Sequence, residues 1–321
     1  MSSPPSLFAV VVTFNRLATL KITLARLLEA KTEHLAGIIV VDNACTDGTE
    51  SWLASLEDAR LQVLRLPENC GGAGGFEAGM RLAGEADPDW MVLFDDDARP
   101  YPGALAAFHA VDRTGADAWA AAVYDPKGEI CDMNRPSRNP FWHTDVWQWV
   151  LRGKGREAYH IPASAYEGMA LSEIDVASFV GFFVSRAGRH LAGVSDGRLF
   201  LYGDDVLYSL TLRKAGGRIL FDPSLRFEHD HASRAANSKR FTPLWKVYYY
   251  YRNLLFAYRS AAGHWFILVA PVMALKWLVI DFRHYHGARL RYLRLWGQAL
   301  RDGVKGRTST PFAQVKIWSG E

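Results

Sequence analysis

The feature that most constrains this chain is a rhythm in its first hundred residues. Four short strand-like runs, the apolar Leu7 to Thr13 (LFAVVVT), Gly37 to Val41 and Trp90 to Phe94 and the more polar Leu61 to Leu66 (LQVLRL), alternate with stretches of helical spacing. Continuous apolar runs of this length, several rich in β-branched residues, predict strands buried on both faces. Between the first two, Leu17, Leu20, Leu24, Leu27 and Leu28 recur at helical intervals. After the second, Thr46-Asp47-Gly48-Thr49 supplies cap-type residues ahead of Trp52, Leu53 and Leu56. Strand, helix, strand, helix in that order predicts an α/β fold with a Rossmann-like, mainly parallel central sheet. The runs Ala118 to Tyr124, Val176 to Ser185, Arg218 to Phe221 and Leu225 to Phe227 predict further strands.

Sheets of this kind bind ligands beyond the carboxyl ends of their strands. Each unusual polar cluster falls at such an end: Thr13 to Arg16, Asp42-Asn43, Asn69 with Gly71 to Gly75, and Asp95-Asp96-Asp97. Strand alternation places Asp95 and Asp97 on one face and turns Asp96 away. Two same-side carboxylates repel unless a cation sits between them, and hard cations such as Mn²⁺ or Mg²⁺ prefer oxygen ligands. The plainer reading is an acidic turn leading into a helix near Pro100 to Pro102. A nucleotide-activated donor suits the whole set. Asp95 and Asp97 would hold the cation against its diphosphate, and Thr13, Asn15, Arg16, Asp42 and Asn69 would meet the base and ribose. In a Gly-rich loop over Gly71 to Gly75, Gly74 would let backbone approach closely, and Asp96 would contact the donor sugar or the acceptor. No Gly-Lys-Ser/Thr follows the glycines, and they do not follow the first strand, so a P-loop and an NAD site are both disfavoured.

Transfer to an acceptor hydroxyl needs a general base. Asp205, beside Asp204 at a helix start, is the candidate, because the helix dipole favours its ionised form. Helix capping is the competing role for one of the two. His229 or His231 would complete the metal shell as a neutral imidazole, with His229 preferred. Residues 125 to 172 are irregular and carry Phe141, Trp142, Trp147 and Trp149. Trp142, with Asp204, is the candidate for acceptor contact, against an ordinary packing role for the tryptophans.

The 321 residues are 49% apolar and 22% charged, room for one large α/β domain with an appendage. A net charge of +3 is too mild to imply nucleic-acid binding, although the C-terminal stretch from Arg283 onward is biased to Arg. Three widely spaced cysteines, Cys45, Cys70 and Cys131, match no zinc pattern and suggest a reduced, cytoplasmic chain. The short polar Met1 to Ser6, followed at once by a strand-like run, predicts no signal peptide. After about residue 235 the character changes. Trp245 to Tyr258 is aromatic, and Trp265 to Ile280 is apolar but for Lys276. This run is short for a span, so a helix in the membrane interface or an oligomerisation helix pair is expected. The expected division is a catalytic domain over 1–235 and a helical region over 236–321.

In order, Val11-Val12-Thr13-Phe14-Asn15-Arg16, Val41-Asp42-Asn43, Asn69-Cys70-Gly71-Gly72-Ala73-Gly74-Gly75-Phe76, Asp95-Asp96-Asp97, Gly203-Asp204-Asp205 and Glu228-His229 resemble family 2 glycosyltransferases of the GT-A fold. The likeness covers roughly the first 235 residues, and Tyr248 to Asn253 (YYYYRN) looks like the segment that follows the catalytic domain in bacterial members. The glycines and the triple aspartate look most like galactofuranosyltransferases, with rhamnosyltransferases using dTDP-rhamnose close behind. The resemblance implies inverting transfer from a nucleotide sugar, best matched by UDP-galactofuranose, to a cell-surface glycan or glycolipid at the inner face of the membrane. It makes Asp205 the base and gives the cation to Asp95, Asp97 and His229. Tyr202-Gly203-Asp204-Asp205 departs from the Trp-Asp-Asp usual in galactofuranosyl enzymes, which touches the acceptor contacts. A nucleotidyltransferase would need a longer Lys/Arg-containing loop after the first strand. A non-catalytic carbohydrate-binding protein would leave two acidic clusters and a histidine at strand ends without a purpose.

Overall fold

The computed structural model describes residues 4–230 and 240–321. A nine-stranded mixed sheet forms its centre. Four strands run parallel at one side: β1 (Leu7–Thr13), β2 (Gly37–Asp42), β3 (Leu61–Arg65) and β4 (Trp90–Asp95). The remaining strands are β5 (Ala98–Pro100), β6 (Ala118–Tyr124), β7 (Ser172–Ile174), β8 (Phe182–Ser185) and β9 (Ile219–His229). Their order across the sheet is β3-β2-β1-β4-β8-β6-β9-β5, with β7 also pairing β9. β6 and β9 are parallel, whereas β8 is antiparallel to both β4 and β6, and β5 and β7 are antiparallel to β9. The expected α/β class with mostly parallel strands is therefore observed.

Strand alternation divides the core between the two faces. Val11, Val92, Phe94 and Phe183 pack with α1 (Leu17–Leu28) on one side. Val10, Val12, Leu93 and Phe182 pack with α3 (Gly71–Glu85) on the other. Leu20, Thr23, Leu24 and Leu27 form the buried stripe of α1, as the leucine spacing predicts. α2 (Thr49–Ala54) joins β2 to β3, and α4 (Ala104–His109) follows β5.

Four expectations change at this level. The glycine run is helix rather than loop, because Gly71 to Gly75 form the opening turns of α3. Gly75 permits this: a Cβ there would stand 2.4 Å from Val12 Cγ1, so its absence lets α3 lie directly on β1. The run Val176 to Ser185 is a strand only from Phe182, since Gly181 turns with φ +69° and a Cβ there would meet Ala121 Cβ at 2.6 Å. The two short strands expected around residues 218–227 are one, β9, whose Pro223 sits where the pairing register with β6 shifts. The aspartate run leads not into a helix but through a turn into β5.

The irregular segment contains α5 (Thr144–Leu151) and α6 (Ser164–Glu167); α7 (Arg186–Ala192) and α8 (Asp204–Lys214) precede β9. Beyond it come α9 (Lys246–Ala262), α10 (Phe266–Asp281), α11 (Arg289–Lys305) and α12 (Phe312–Ser319). These pack around their own core of Tyr248, Tyr249, Tyr251, Leu255, Trp277, Tyr292 and Leu295. The expected division near 235 falls outside the described residues, as does His231. The stretch Lys246–His284 is the one among the described residues long and apolar enough to cross a membrane by length and composition.

Candidate active site

The site forms where β1, β2 and β4 end side by side. In the ladders Val12 pairs with Asp95 and Thr13 with Asp42, so the polar clusters that follow each strand share one edge. β4 stops at Asp95, and Asp96 and Asp97 lie in the turn before β5. Strict alternation therefore lapses after Asp95, and Asp96 does not turn away from Asp97. Both are buried, and both accept from one guanidinium: Arg16 Nη1 reaches Asp96 Oδ1 at 3.2 Å and Asp97 Oδ2 at 2.6 Å. Thr13 Oγ1 donates to the other Asp96 oxygen at 2.7 Å. Burial pushes the Asp96 carboxyl up to about 7, although Arg16 and Thr13 pull against it. Burial would lower the pKa of Arg16, but Asp96, Asp97 and Asp95 together raise it.

β5 explains how the histidine arrives. Its ladder pairs Ala98 with His229, and the Asp230 amide donates to the Asp97 carbonyl at 2.8 Å. His229 Nε2 consequently lies 3.2 Å from Asp97 Oδ1, with both side chains buried. On the far side of the ring, Nδ1 meets Asn134 Oδ1 at 2.8 Å. A hydrogen on Nδ1 leaves a lone pair on Nε2 facing a carboxylate oxygen, which is tolerable only if a proton or a cation bridges them. Burial lowers the imidazole pKa, but the Asp97 hydrogen bond outweighs it and lifts the group to about 9. A positive charge between Asp97 and His229 is therefore favoured. Oxygen and imidazole donors, the imidazole held from behind by the Asn134 amide, fit a divalent metal. Among the described residues no group of three or more His, Cys, Asp or Glu is arranged to hold a metal ion by itself. Mg²⁺-type sites commonly use one or two protein ligands, with substrate phosphates supplying the rest.

Asp95 links this cluster to the second acidic pair. Its charge acts on Arg16, Asp96 and His229 and equally on Asp204 and Asp205. Asp204 and Asp205 open α8, behind Gly203 in the left-handed conformation. Burial raises the Asp205 pKa to about 6 against the Val206 amide, which donates to Oδ1 at 2.7 Å, and the Asp95 charge adds to the rise. Asp204 is raised as well, by burial first and then by Asp205 and Asp95.

The remaining expected residues are placed as follows. Asp42 is buried with both oxygens engaged, one by the Cys45 amide (2.7 Å) and one by Arg65 Nη1 (2.5 Å). Asn15, at φ +52°, accepts the Thr46 amide at 2.7 Å. Asn69 Oδ1 accepts the Gly71 amide at 2.8 Å. Gly74 faces the turn at Gly197, where a Cβ would come 3.0 Å from the Gly74 Cα. Trp142 is exposed, and its amide bonds locally to the Asn139 carbonyl. Its neighbours His143 and Asp145 are engaged with Asp175 and Arg138.

Three residues escape the sequence reading. Asn134 orients His229. Arg252 and Asn253 end the YYYYRN stretch and are fully buried. Asn253 Nδ2 lies 3.0, 2.9 and 2.8 Å from the carbonyls of Leu199, Leu201 and Tyr202, and Arg252 Nη2 donates to Leu199 O at 2.7 Å. They fix a segment in which Phe200 (φ +67°) and Tyr202 (φ +70°) hold unfavourable backbone angles just ahead of Asp204-Asp205. The YYYYRN pattern was a signal for the pair; nothing in the local sequence marked Asn134.

Residues 8–164 match the model of the family described as Glycosyl transferase family 2, and the chain belongs to that family. The galactofuranosyltransferase GlfT1 of Mycobacterium tuberculosis is 32% identical over 219 residues, 66% of this chain and 66% of the relative. The N-acetylglucosaminyl-diphospho-decaprenol L-rhamnosyltransferase of the same species is 27% identical over 226 residues, covering 64% and 70%. The match thus spans just under two thirds of the length of GlfT1. Among solved structures, Staphylococcus aureus TarS 1-349 in complex with UDP superposes with a TM-score of 0.56 at 15% identity, covering 98% of this chain and 83% of that one. GalNAc-T7 with UDP, GalNAc and Mn²⁺ gives 0.51 at 13%, covering 88% and 59%. Both likenesses concern the fold.

Proposed function

We propose that this chain transfers galactofuranose from UDP-galactofuranose, with inversion, to a hydroxyl of a bacterial cell-surface glycan carried on a lipid. The observation that carries the reading is the meeting of Asp95, Asp97, His229 and the Asp204-Asp205 pair at one sheet edge, in a chain 32% identical to a galactofuranosyltransferase. The name of the rhamnosyl relative, with its diphospho-decaprenol acceptor, supports a lipid-linked acceptor and keeps dTDP-rhamnose as the second donor to test.

In this reading Thr13, Asn15, Arg16, Asp42, Asn69 and Gly74 shape the nucleotide side, with Asp96 anchoring Arg16. Asp97 and His229, with Asp95 beside them, hold Mn²⁺ or Mg²⁺; the imidazole tilts the donor set toward Mn²⁺. When bound, the cation supplies positive charge against the charge growing on the departing diphosphate. Asp205 takes the proton of the acceptor hydroxyl as its oxygen attacks the anomeric carbon from the side opposite the nucleotide. A pKa near 6 leaves Asp205 ionised at neutral pH and still basic enough to accept that proton. Asp204 and Trp142 are assigned to the acceptor side. The C-terminal helices rest at the cytoplasmic face of the membrane.

Release of UDP or dTDP from UDP-galactofuranose, UDP-galactopyranose and dTDP-rhamnose, with Mn²⁺ and then EDTA, tests the reading. Asp205→Asn is expected to abolish transfer while UDP still binds. Equal loss of UDP binding would mark Asp205 as structural and overturn its role as base.

A further inference from the structure

A second cavity lies outside the strand-end cluster, between the stretch that enters α9 and the end of α10. It encloses about 370 Å³ and is walled by Arg240, Phe241, Tyr250, Ile280, Arg283 and Tyr285, with His284 and Asp281 completing the lining. Among the described residues, Arg240 and Arg283 bring two positive charges against one acid, with His284 Nε2 accepting from Arg283 Nε at 3.4 Å, and the Asp281 carboxylate already accepts the Tyr251 hydroxyl at 2.6 Å. The Arg240 guanidinium lies 5.6 Å over the Tyr285 ring, and Phe241 and Tyr250 pack at 4.7 Å. The site is cationic with aromatic walls, a form that suits a phosphate attached to an apolar body.

Two continuities say what that body is and where it leads. On one side, Phe241 and Tyr250 touch the ring of Tyr202 at 6.0 and 5.8 Å. Tyr202 precedes Asp205 by three residues, and three Cα steps reach at most about 11 Å. The cavity wall is thus one ring contact and three residues away from Asp205. On the other side, Arg283 in the cavity wall follows Val279 by four residues, about one turn beyond one face of α10. Leu268, Val272, Leu275 and Val279 recur there at intervals of four, three and four, and are exposed by 59, 65, 63 and 67%. At 1.5 Å per residue, Leu268 to Val279 make an apolar track of about 16 Å that ends one turn short of Arg283 in the basic cavity.

We infer that this cavity binds the phosphate or diphosphate of the polyprenyl-type lipid that carries the acceptor sugar, the chain lying along α10 and the sugar pointing past Tyr202 to Asp205. The inference rests on the lipid-linked acceptor reading above and adds the place of its head group. A charged head joined to a long apolar tail satisfies both the basic cavity and the stripe that leads toward it.

Calorimetric titration of the full chain with farnesyl diphosphate, the donor site filled by UDP and Mn²⁺, tests this. Saturable binding is expected, weakened at least tenfold by Arg283→Glu and further by adding His284→Gln. Farnesol and inorganic pyrophosphate should each bind at least tenfold more weakly than farnesyl diphosphate. Retained UDP binding reports that the variants fold. Equal affinity of the double variant and the wild type, equal affinity for farnesol, or binding that vanishes once UDP is bound would each overturn the assignment. Flotation with vesicles of phosphatidylcholine containing phosphatidylglycerol separates the other phosphate source. If Arg283→Glu loses vesicles but keeps farnesyl diphosphate, the basic cluster meets bilayer head groups and the inference fails. A wild-type chain that binds farnesyl diphosphate through Arg283 yet releases nucleotide from no donor leaves the cavity standing and removes the transferase reading.

Discussion

Asn253→Ala is the most telling perturbation, because it acts on the acidic pair without touching it. The asparagine amide has two hydrogens facing three carbonyls, those of Leu199, Leu201 and Tyr202, and its oxygen accepts Arg252 Nε at 2.8 Å. Truncation removes two neutral hydrogen bonds worth about 1 kcal/mol each and one from a buried guanidinium worth about 1.5–3 kcal/mol. The expected destabilisation is about 3–5 kcal/mol, a large share of an ordinary domain's stability. A fall of roughly 6–15 °C in melting temperature should follow. The larger consequence is local. Phe200 and Tyr202 hold left-handed angles that the surroundings must enforce, and their release displaces Gly203 and the start of α8. Loss of alignment at a catalytic carboxylate of the order of 1 Å costs about 10²-fold in rate. Steady-state kinetics beside UDP titration should therefore show kcat down by about two orders of magnitude and UDP affinity within threefold of wild type. A variant with unchanged kcat at a temperature where it is folded would refute the claim that Asn253 positions Asp205. A proportionate loss of UDP binding would place the damage in the donor site instead.

The pH profile carries a second expectation. Asp205 titrates near 6 in the folded chain, above its ordinary value, so its ionised form is lost as pH falls through 6. The acidic limb of kcat/KM should bend near pH 6, a value belonging to the Asp204-Asp205 pair as a unit. Stability should change in the opposite sense. A carboxyl raised on folding binds its proton more tightly when folded, so this pair favours folding more as pH drops from about 6 toward 4. An acidic limb at pH 4 or below would mean that an unperturbed carboxylate is the base. A third expectation concerns Asn134. Asn134→Ala leaves the His229 ring without its partner at Nδ1, and Mn²⁺ affinity followed by titration should fall about 10- to 100-fold. Unchanged affinity would exclude His229 as a ligand oriented from behind.

Sequence alone determined the parallel half of the sheet, because buried strands and amphipathic helices write their periods directly into residue order. The doublet Asp204-Asp205, the glycines and the triple aspartate were legible for the same reason: each is contiguous, and each sits next to an element whose end could be read. The glycines were nevertheless misread as loop, since only the tight fit of Gly75 on Val12 shows why a helix needs them. The side on which Asp96 falls depended on where β4 stops, a matter of one residue.

Tertiary structure decided what residue order does not encode. His229 reaches Asp97 because the three-residue strand β5 doubles back to pair with β9, joining positions 132 residues apart. Asn134 comes to the other face of the same ring across 95 residues. Arg252 and Asn253 grip the backbone ahead of the acidic pair from a helix beyond the sheet. Such contacts arise from strand pairing and helix docking, which bring together residues that no local periodicity relates. The sequence therefore marked which side chains are proposed to carry the chemistry, and the fold decided what holds them in place.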